Sequence, residues 1–275
     1  SPHPLCCPAR AEIVTGQFAQ NNGVHTNAGP YGGLPALRQP DNTLPVWLQR
    51  SGYRTAMVGK YLNGYQGKGD TPTGWDYWNV TTSNGFGYFD YPMDDNGTKR
   101  FYGNTYSTDL ITDSTVDLVN QYADGMEPFF IWASYYAPHG VCGDNEGCSD
   151  PPVPAPRHAH LYPGVDASSL TKPSFNEDDV SDKPRVIRNR LKIGPASAQH
   201  LFTERIRALA AVDEGVARTM QALEEQGELA SNLLGDAVGT GALGHLRCWF
   251  RVQGSRFRVR FKGSTFGSGF WRSDG

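Results

Sequence analysis

The chain has 275 residues, and its 25 lysines and arginines against 28 aspartates and glutamates give a net charge of −3. This balance does not favour a nucleic-acid or membrane-surface partner, and no apolar run is long enough to span a bilayer. No signal peptide is evident, but the chain opens so abruptly that we expect its true N-terminus to be missing.

The first predicted element is a short amphipathic helix in the stretch LCCPARAEIVTG. Pro8 suits the first turn of a helix, and Cys6 and Arg10 are four residues apart, so both can lie on one face. The N–H groups and the positive dipole end of this terminus are typical of an anion-binding site. Alternatively, Cys6 and Cys7 are ordinary buried or disulfide-bonded cysteines.

A helix-to-strand unit follows in DNTLPVWLQRSGYRTAMVGKYLNGY. Thr43 suits the N-cap position, Pro45 suits the first turn, and Gly52 is placed to end the helix. Residues 53–58 then predict a short strand that leads to Lys60.

Residues 71–106 are rich in aromatic, glycine and asparagine residues and predict short strands and turns. Within them, MDDNG at 93–97 resembles an acidic metal pair, but no apolar strand precedes it, and it predicts a hairpin turn. A helix from Ser107 to Gly125 comes next. The continuous apolar run PFFIWAS at 128–134 then predicts a buried strand, which YYAPHG follows directly.

Residues 140–198 have little periodicity and predict an extended surface excursion, in which Asp178 and Asp179 are solvated. Cys142 and Cys148 flank a polar loop there, and they predict either a small disulfide or two unpaired thiols. A strong helix follows from about 203 to 226. Strands that alternate with helices favour an α/β fold with a layered sheet.

The composition changes at about residue 232. Residues 233–275 contain six arginines, one lysine and two aspartates, so this tail carries +5 and the preceding 232 residues carry −8 of the total of −3. The stretch RCWFRVQGSRFRVRFKG predicts a hairpin, and its basic run resembles a nucleic-acid arm. We favour a third interpretation, in which this Gly/Arg-rich tail comes from a frameshift or a misassigned reading frame.

Three short motifs stand out along the chain. The first is C-x-P-x-R-x-x-x-x-T-G, from Cys6 to Gly16; the second, GYRTAMVGK, ends at Lys60; the third is Ala-Pro-His, which ends at His139. Together they resemble the motifs of the formylglycine-dependent sulfatase family, most of all those of N-acetylglucosamine-6-sulfatases and related sugar sulfatases. The resemblance covers residues 1–232.

The resemblance implies an alkaline-phosphatase-like α/β fold with a mixed sheet flanked by helices, incomplete at both ends. It also implies that Cys6 is oxidised to formylglycine, which binds Ca²⁺ and whose hydrated aldehyde attacks the sulfur of a sulfate ester. By the same resemblance, Arg10 holds the diol, Lys60 neutralises the sulfate charge and His139 assists the leaving group. Lys60, Asn63 and His139 would contact the substrate.

The implied function is that of a sulfuric ester hydrolase acting on a sulfated sugar such as N-acetylglucosamine 6-sulfate, or on an aryl sulfate. A formylglycine-generating enzyme is the implied partner, and the implied location of the parent protein is secreted, periplasmic or lysosomal. Residues 1–232 would form a partial catalytic domain, and 233–275 an atypical tail.

The chain departs from the family pattern at the metal ligands. The aspartates that precede the first motif and the Asp-Asn pair that follows the last long helix are absent, so we expect weak or no Ca²⁺ binding and a catalytically incomplete chain. Leu62 stands where many members have a histidine used in the elimination step. Two alternatives stay open: a non-enzymatic fragment that binds polyanions, and a phosphoester hydrolase of the same superfamily, although the Cys6 motif argues against the latter.

Overall fold

A five-stranded sheet with helices on both faces forms the centre of the structure, a computed structural model that describes residues 2–67, 71–82, 87–143 and 147–229, without the side chains of 143–149. The helices are α1 (Cys6–Thr15), α2 (Ala19–Asn22), α3 (Leu44–Arg50), α4 (Ser107–Ala123), α5 (Arg185–Arg188) and α6 (Pro195–Glu225). The strands are β1 (Arg54–Gly59), β2 (Tyr77–Thr81), β3 (Tyr91–Asp95), β4 (Thr98–Tyr102), β5 (Phe129–Ser134), β6 (Val141–Gly143) and β7 (Gly147–Asp150).

The strand order of the main sheet is β4-β3-β2-β1-β5. Strand β1 pairs in parallel with both β2 and β5, while β3 and β4 add an antiparallel hairpin beside β2. This mixed sheet, flanked by helices, confirms the predicted α/β architecture. The carboxyl ends of its parallel strands meet at one edge, which is where open α/β sheets place their ligand sites.

Successive residues of β1 pack on opposite faces of the sheet, as the pleat requires. Met57 lies in a core cluster with Cys7 of α1, whereas Ala56 and Val58 pack with Ile111 of α4. The end of α6 covers the same face as α4. The sheet is therefore held between α1 on one side and the α4–α6 pair on the other.

Helix α1 is more buried than the sequence predicted. Eight of its ten residues are buried, among them the charged Arg10 and Glu12, so the helix is not amphipathic. The small side chains of Cys7 and Ala11 let the helix approach the sheet closely, and both are fully buried in the core cluster. The predicted boundaries are confirmed, since the helix starts at Cys6 and left-handed Gly16 (φ 64) follows it.

The residues predicted at the ends of α3 and in the turn between β3 and β4 occupy those positions. Thr43 is the N-cap residue of α3, Pro45 lies in its first turn, and Gly52 takes a left-handed conformation (φ 84) after it. In the β3–β4 hairpin, Asn96 (φ 50) and Gly97 (φ 84) form the connecting turn. Positive φ at both positions is typical of a tight hairpin. The hairpin turn predicted for MDDNG is therefore confirmed at Asn96 and Gly97, whereas Met93, Asp94 and Asp95 belong to strand β3.

Strand β5 is only half-buried, although its apolar run predicted a buried strand. Ser134 is its one buried residue, and the other five are partly exposed. The reason is the position of β5 at the end of the sheet. It pairs with β1 on one side, and within the described ranges no strand pairs with its other side.

The segment after β5 runs over the surface, as predicted. It contains the β6–β7 hairpin and the single turn α5, and both Asp178 and Asp179 are exposed. Cys142 is disulfide-bonded, in agreement with the disulfide alternative. The side chain of Cys148 lies outside the described part of the chain.

Helix α6 begins at Pro195, earlier than the predicted start near 203. Proline fixes a helical φ in a first turn, a signal that apolar periodicity does not reveal. None of the helices in the described ranges is long and apolar enough to cross a membrane. The tail 233–275, with its predicted hairpin, lies outside the described residues.

Candidate functional site

The site lies at the sheet edge where β1 and β5 end. Gly59, the last residue of β1, pairs with Ser134, the last residue of β5, and the Lys60 N–H donates a hydrogen bond to the Ser134 carbonyl oxygen at 2.8 Å. His139 follows β5 by one short turn. Its ring reaches Cys6, the first residue of α1. Residues far apart in the sequence thus meet at one edge of the sheet.

Cys6 is a free, partly buried cysteine whose Sγ lies 3.9 Å from His139 Nε2. The hydrogen bond with His139 lowers the pKa of the Cys6 thiol from 9.0 to about 6, although burial acts in the opposite direction. The charges of Lys60 and Arg10 lower this pKa further. An unmodified Cys6 is therefore a reactive thiolate at neutral pH.

The His139 ring is fixed on both sides. Its Nδ1 lies 2.8 Å from the Gly140 carbonyl oxygen, and the ring stacks on Tyr136 with a centroid separation of 5.1 Å. Because a carbonyl oxygen can only accept, we infer that Nδ1 carries the proton of the neutral ring. Nε2 is then the nitrogen that exchanges protons on the Cys6 side.

Arg10 ties α1 to the ends of the two strands. Its Nη1 donates to the Lys60 carbonyl oxygen at 2.7 Å and to Ser134 Oγ, and its guanidinium lies 5.9 Å from the centre of the Trp132 ring. Burial lowers the pKa of Arg10 to about 10, while the charge of Cys6 opposes that change. Arg10 is therefore charged at neutral pH and holds Cys6 against the sheet edge.

Lys60 is the second buried cation, with 4% of its surface exposed. Burial lowers the pKa of its ammonium from 10.5 to about 8, while its charge interaction and hydrogen bond with Cys6 act in the opposite direction. Its Nζ also lies 5.8 Å from the centre of the Tyr136 ring. An ammonium held beside Cys6 in a largely water-excluded position is suited to an anionic ligand.

Asn63 and Leu62 follow Lys60 in the chain, and the backbone of Asn63 hydrogen-bonds Cys7, the neighbour of Cys6. The Asn63 carbonyl oxygen accepts a hydrogen bond from the Leu34 N–H at 2.6 Å, while Asn63 Oδ1 is buried and has no hydrogen-bond partner among the described residues. An open acceptor of this kind can take a donor from a ligand. Leu62 is 2% exposed and packs in the core cluster, so it contributes apolar contacts.

The N-terminus of α1 offers fewer N–H groups than the sequence suggested. The Cys7 N–H donates to Asn27 Oδ1 at 2.9 Å, the Ala9 N–H donates to the Leu5 carbonyl oxygen at 3.0 Å, and Pro8 has no N–H. Anion binding at this site therefore depends on cationic side chains more than on the helix N–H groups.

Sequence reasoning missed three supporting residues. Ser134 receives the Arg10 guanidinium, Tyr136 supports the His139 ring, and Asn27 orients the start of α1. Ser134 ends β5 and Tyr136 follows it by two residues, and a polar residue at a strand's carboxyl end was the available signal. Nothing local in the sequence marks Asn27.

Selective alkylation tests the contrast between the two adjacent thiols in the unmodified chain. Burial raises the pKa of Cys7 to about 11, whereas the pKa of Cys6 is about 6. Because only the thiolate reacts, we expect iodoacetamide at pH 7 to label Cys6 at least ~100-fold faster than Cys7. Fragment-ion mass spectrometry separates the two positions.

The Cys6 labelling rate should rise through about pH 6 and be level at pH 8. Cys7→Ser is the control and should leave this rate unchanged, while Cys6→Ser should remove the fast phase. Equal labelling of the two thiols, or a rate that rises only above pH 8, would contradict the assigned environments.

The described residues do not fit a calcium ion. Ca²⁺ takes six to eight oxygen ligands, mostly from carboxylates. The side chains that meet at Cys6 are instead cationic or neutral, and no group of three or more His, Cys, Asp or Glu side chains in the described ranges could hold a metal. Calcium binding therefore stays a prediction of the resemblance, and the proposed mechanism contains no step on a metal ion.

Comparison with known proteins gives consistent results. A family model described as "Sulfatase" matches residues 1–234. An N-acetylglucosamine-6-sulfatase of Capra hircus is 32% identical over 243 residues, which cover 83% of this chain and 41% of that protein. An extracellular sulfatase SULF-1 homolog of Drosophila melanogaster is 30% identical over 270 residues, covering 94% of this chain and 23% of that protein.

A solved structure, a complex with the substrate D-glucosamine-2-N,6-O-disulfate, has the same fold. It superposes with a TM-score of 0.59 at 23% identity over 83% of this chain and 54% of that one. The chain spans less than half the length of the Capra hircus and Drosophila melanogaster relatives.

Proposed function

The chain belongs to the sulfatase family, and on that premise we propose that it carries the nucleophile and the sulfate-binding cations of a sulfuric ester hydrolase. The observation that supports this proposal is the meeting of four side chains at one sheet edge: Cys6, Arg10, Lys60 and His139. Two buried cations beside a nucleophile and a proton-transfer group suit cleavage of an anionic ester.

We propose a sulfated sugar as the substrate, in the class of 6-sulfated glucosamine. The support is the name of the N-acetylglucosamine-6-sulfatase relative and the disulfated glucosamine bound in the similar structure. Lys60 binds the sulfate oxygens through its ammonium, and the Arg10 guanidinium adds a second positive charge near them. Asn63 is a further proposed substrate contact, because its side-chain oxygen has no hydrogen-bond partner among the described residues.

Cys6 is the proposed site of conversion to formylglycine, whose hydrated aldehyde supplies the hydroxyl nucleophile. The residue fits this role because it is a free cysteine at the first position of α1, beside Arg10, Lys60 and His139. His139 directs Nε2 at Cys6, so a proton taken up at that nitrogen can pass to the leaving sugar oxygen. Lys60 and Arg10 offset the charge that builds up on the sulfate.

Residues 1–232 form a partial catalytic domain in this proposal, and a formylglycine-generating enzyme modifies Cys6. We propose a secreted or lysosomal location. The disulfide at Cys142 and the extracellular relative support it, because structural disulfides persist in oxidising compartments.

Mass spectrometry of the tryptic peptide that contains Cys6 and ends at Arg10, from protein made in its native host, tests the proposal. Conversion of the Cys6 thiol to an aldehyde removes sulfur and two hydrogens and adds oxygen, so we expect a loss of about 18 mass units. Cys7 in the same peptide is an internal control, since it should stay a thiol and take a single alkyl group. Any sulfate released from 6-sulfated glucosamine should come from the modified protein alone.

The matched comparison is the same chain from a host that lacks the modifying enzyme. Its Cys6 should stay a thiol, and it should release no sulfate. An unmodified Cys6 in the native-host protein would contradict the proposal, as would equal sulfate release from both preparations.

A further inference from the structure

His139 is held by two tyrosines that the proposed mechanism does not use. The Tyr88 hydroxyl donates to the His139 carbonyl oxygen at 2.8 Å, and the Tyr136 hydroxyl donates to the Gly140 carbonyl oxygen at 2.6 Å. The same Gly140 oxygen lies 2.8 Å from His139 Nδ1. Two phenols thus fix two consecutive carbonyl groups, one of which sets the state of the ring.

The two tyrosines are fixed within an aromatic cluster. Tyr88 packs on Tyr106 with centroids 5.6 Å apart and on Tyr136 with centroids 5.1 Å apart. This cluster packs against Ala208 and Ala211 of α6. Small residues on α6 let the rings approach, so the helix forms the wall behind the histidine turn.

Tyr136 also contacts two residues of the candidate site. One contact is the stacked His139 ring, and the other is the Lys60 ammonium, 5.8 Å from the ring centre. Cys142 Sγ lies 3.8 Å from His139 Nδ1 and 3.6 Å from the Tyr136 hydroxyl. The Nδ1 side of the histidine is therefore enclosed, and Nε2 is the nitrogen directed at Cys6.

We infer that Tyr88 and Tyr136 are positioning residues that hold His139 in the Nδ1–H tautomer, with Nε2 aimed at the reacting group on residue 6. This inference rests on the proposed function. The Tyr136 hydroxyl keeps the Gly140 carbonyl in place, and that carbonyl keeps the proton on Nδ1. The Tyr88 hydroxyl fixes the preceding carbonyl and with it the backbone of the turn.

Both phenol groups stay protonated near neutral pH and can therefore donate hydrogen bonds. Burial raises the pKa of both Tyr88 and Tyr136, so neither loses its proton near neutrality. Second-layer partners of a functional histidine select its tautomer and its ring orientation. A ring with the proton on Nε2 and none on Nδ1 would lose its bond to the Gly140 carbonyl oxygen and leave that oxygen with one donor fewer.

Three tyrosine-to-phenylalanine variants of the full chain distinguish the positioning of His139 by a hydroxyl from the packing of the ring. Tyr88→Phe and Tyr136→Phe each remove one hydroxyl and keep the ring. Tyr106→Phe is the matched control, because Tyr106 belongs to the same cluster and its hydroxyl donates to a backbone carbonyl, that of Val153, at 2.9 Å. That carbonyl does not belong to the His139 turn.

The deciding readout is the pair of ring ¹⁵N chemical shifts of His139 in histidine-labelled protein, assigned with His139→Asn. We expect the wild type and Tyr106→Phe to show the Nδ1–H tautomer, and Tyr88→Phe and Tyr136→Phe to show shifts averaged toward the other tautomer. The same two variants should lower kcat by ~10-fold and leave KM nearly unchanged. Shifts in all three variants that match the wild type would overturn the inference.

Sulfate release tests the proposed function, and the ring ¹⁵N shifts test the role of the two tyrosines. If the modified wild-type chain releases no sulfate, the proposed function fails, while the ring shifts still decide whether the two tyrosines set the tautomer. The two results are therefore read from separate measurements.

Discussion

Gly59→Ala is expected to lower the free energy of unfolding by about 4 kcal/mol and to disrupt the candidate site. Gly59 has a left-handed conformation, φ +100, and a Cβ there would lie less than 3.0 Å from the Ser134 carbonyl oxygen and 2.9 Å from Ile111 Cδ1. The carbonyl cannot move away cheaply, because it belongs to the β1–β5 ladder and accepts the Lys60 N–H. Urea unfolding followed by circular dichroism measures the loss.

Gly52→Ala is the matched control for this experiment. Gly52 also has positive φ, +84, but its added Cβ would meet no atom within 4 Å. It should cost only the conformational strain of alanine in this region, about 1 kcal/mol. The difference between the two variants isolates the close approach of β1 and β5, and similar losses in both would show that this approach is not tight.

Much of the candidate site could be predicted from the sequence, because its groups occur in short local motifs. Cys6 and Arg10 share one helix, so a spacing of four residues is enough to place them on one face. Lys60 and His139 each follow a strand, and the edge rule for α/β sheets brings them together. Their supporting contacts could not be predicted, since the bond from Arg10 to Ser134 joins residues 124 positions apart.

Burial was the property least accessible to sequence reasoning. The apolar run of β5 suggested a covered strand, but coverage depends on neighbours that the run itself does not encode. Glu12 in α1 reads as a solvent-facing residue, yet it is buried and lies 2.6 Å from His3. Local patterns indicate which elements form, whereas the number of partners around each element is a property of the assembled sheet.

Lys60→Met is expected to reduce sulfate-ester turnover by 10²–10³-fold while raising the stability of the protein. In the proposed function, the loss of turnover follows from removing a preorganised cation beside the sulfate, an effect of about 3–4 kcal/mol on the barrier. The gain in stability has a separate cause. Burial lowers the pKa of Lys60 to about 8 against a reference of 10.5, which shows that the folded state disfavours the charged form.

The direction of the stability change follows from the titration of Lys60 in the folded and unfolded states. Between about pH 8 and 10.5 the unfolded chain holds a proton on Lys60 that the folded chain has released, so Lys60 contributes a rise in stability across that window. Cys7, whose pKa is raised to about 11, contributes the opposite trend in both proteins, so the difference between the wild type and Lys60→Met isolates the lysine. Below about pH 8 Lys60 is charged in both states, and burial of its charge then lowers the free energy of unfolding by about 3 kcal/mol. Methionine has a similar length and no charge, so Lys60→Met should be more stable near pH 7 by up to that amount and should lack the rise.

Lys99→Met on the exposed part of β4 is the control, and it should change stability by less than about 0.5 kcal/mol. Unfolding curves at pH 7, 8.5 and 10, together with sulfate release, distinguish two roles for Lys60. A structural lysine would lose stability and turnover together when replaced. Replacing a lysine retained for anion binding should lower turnover and raise stability, because its interaction with Cys6 offsets only part of the cost of burying its charge.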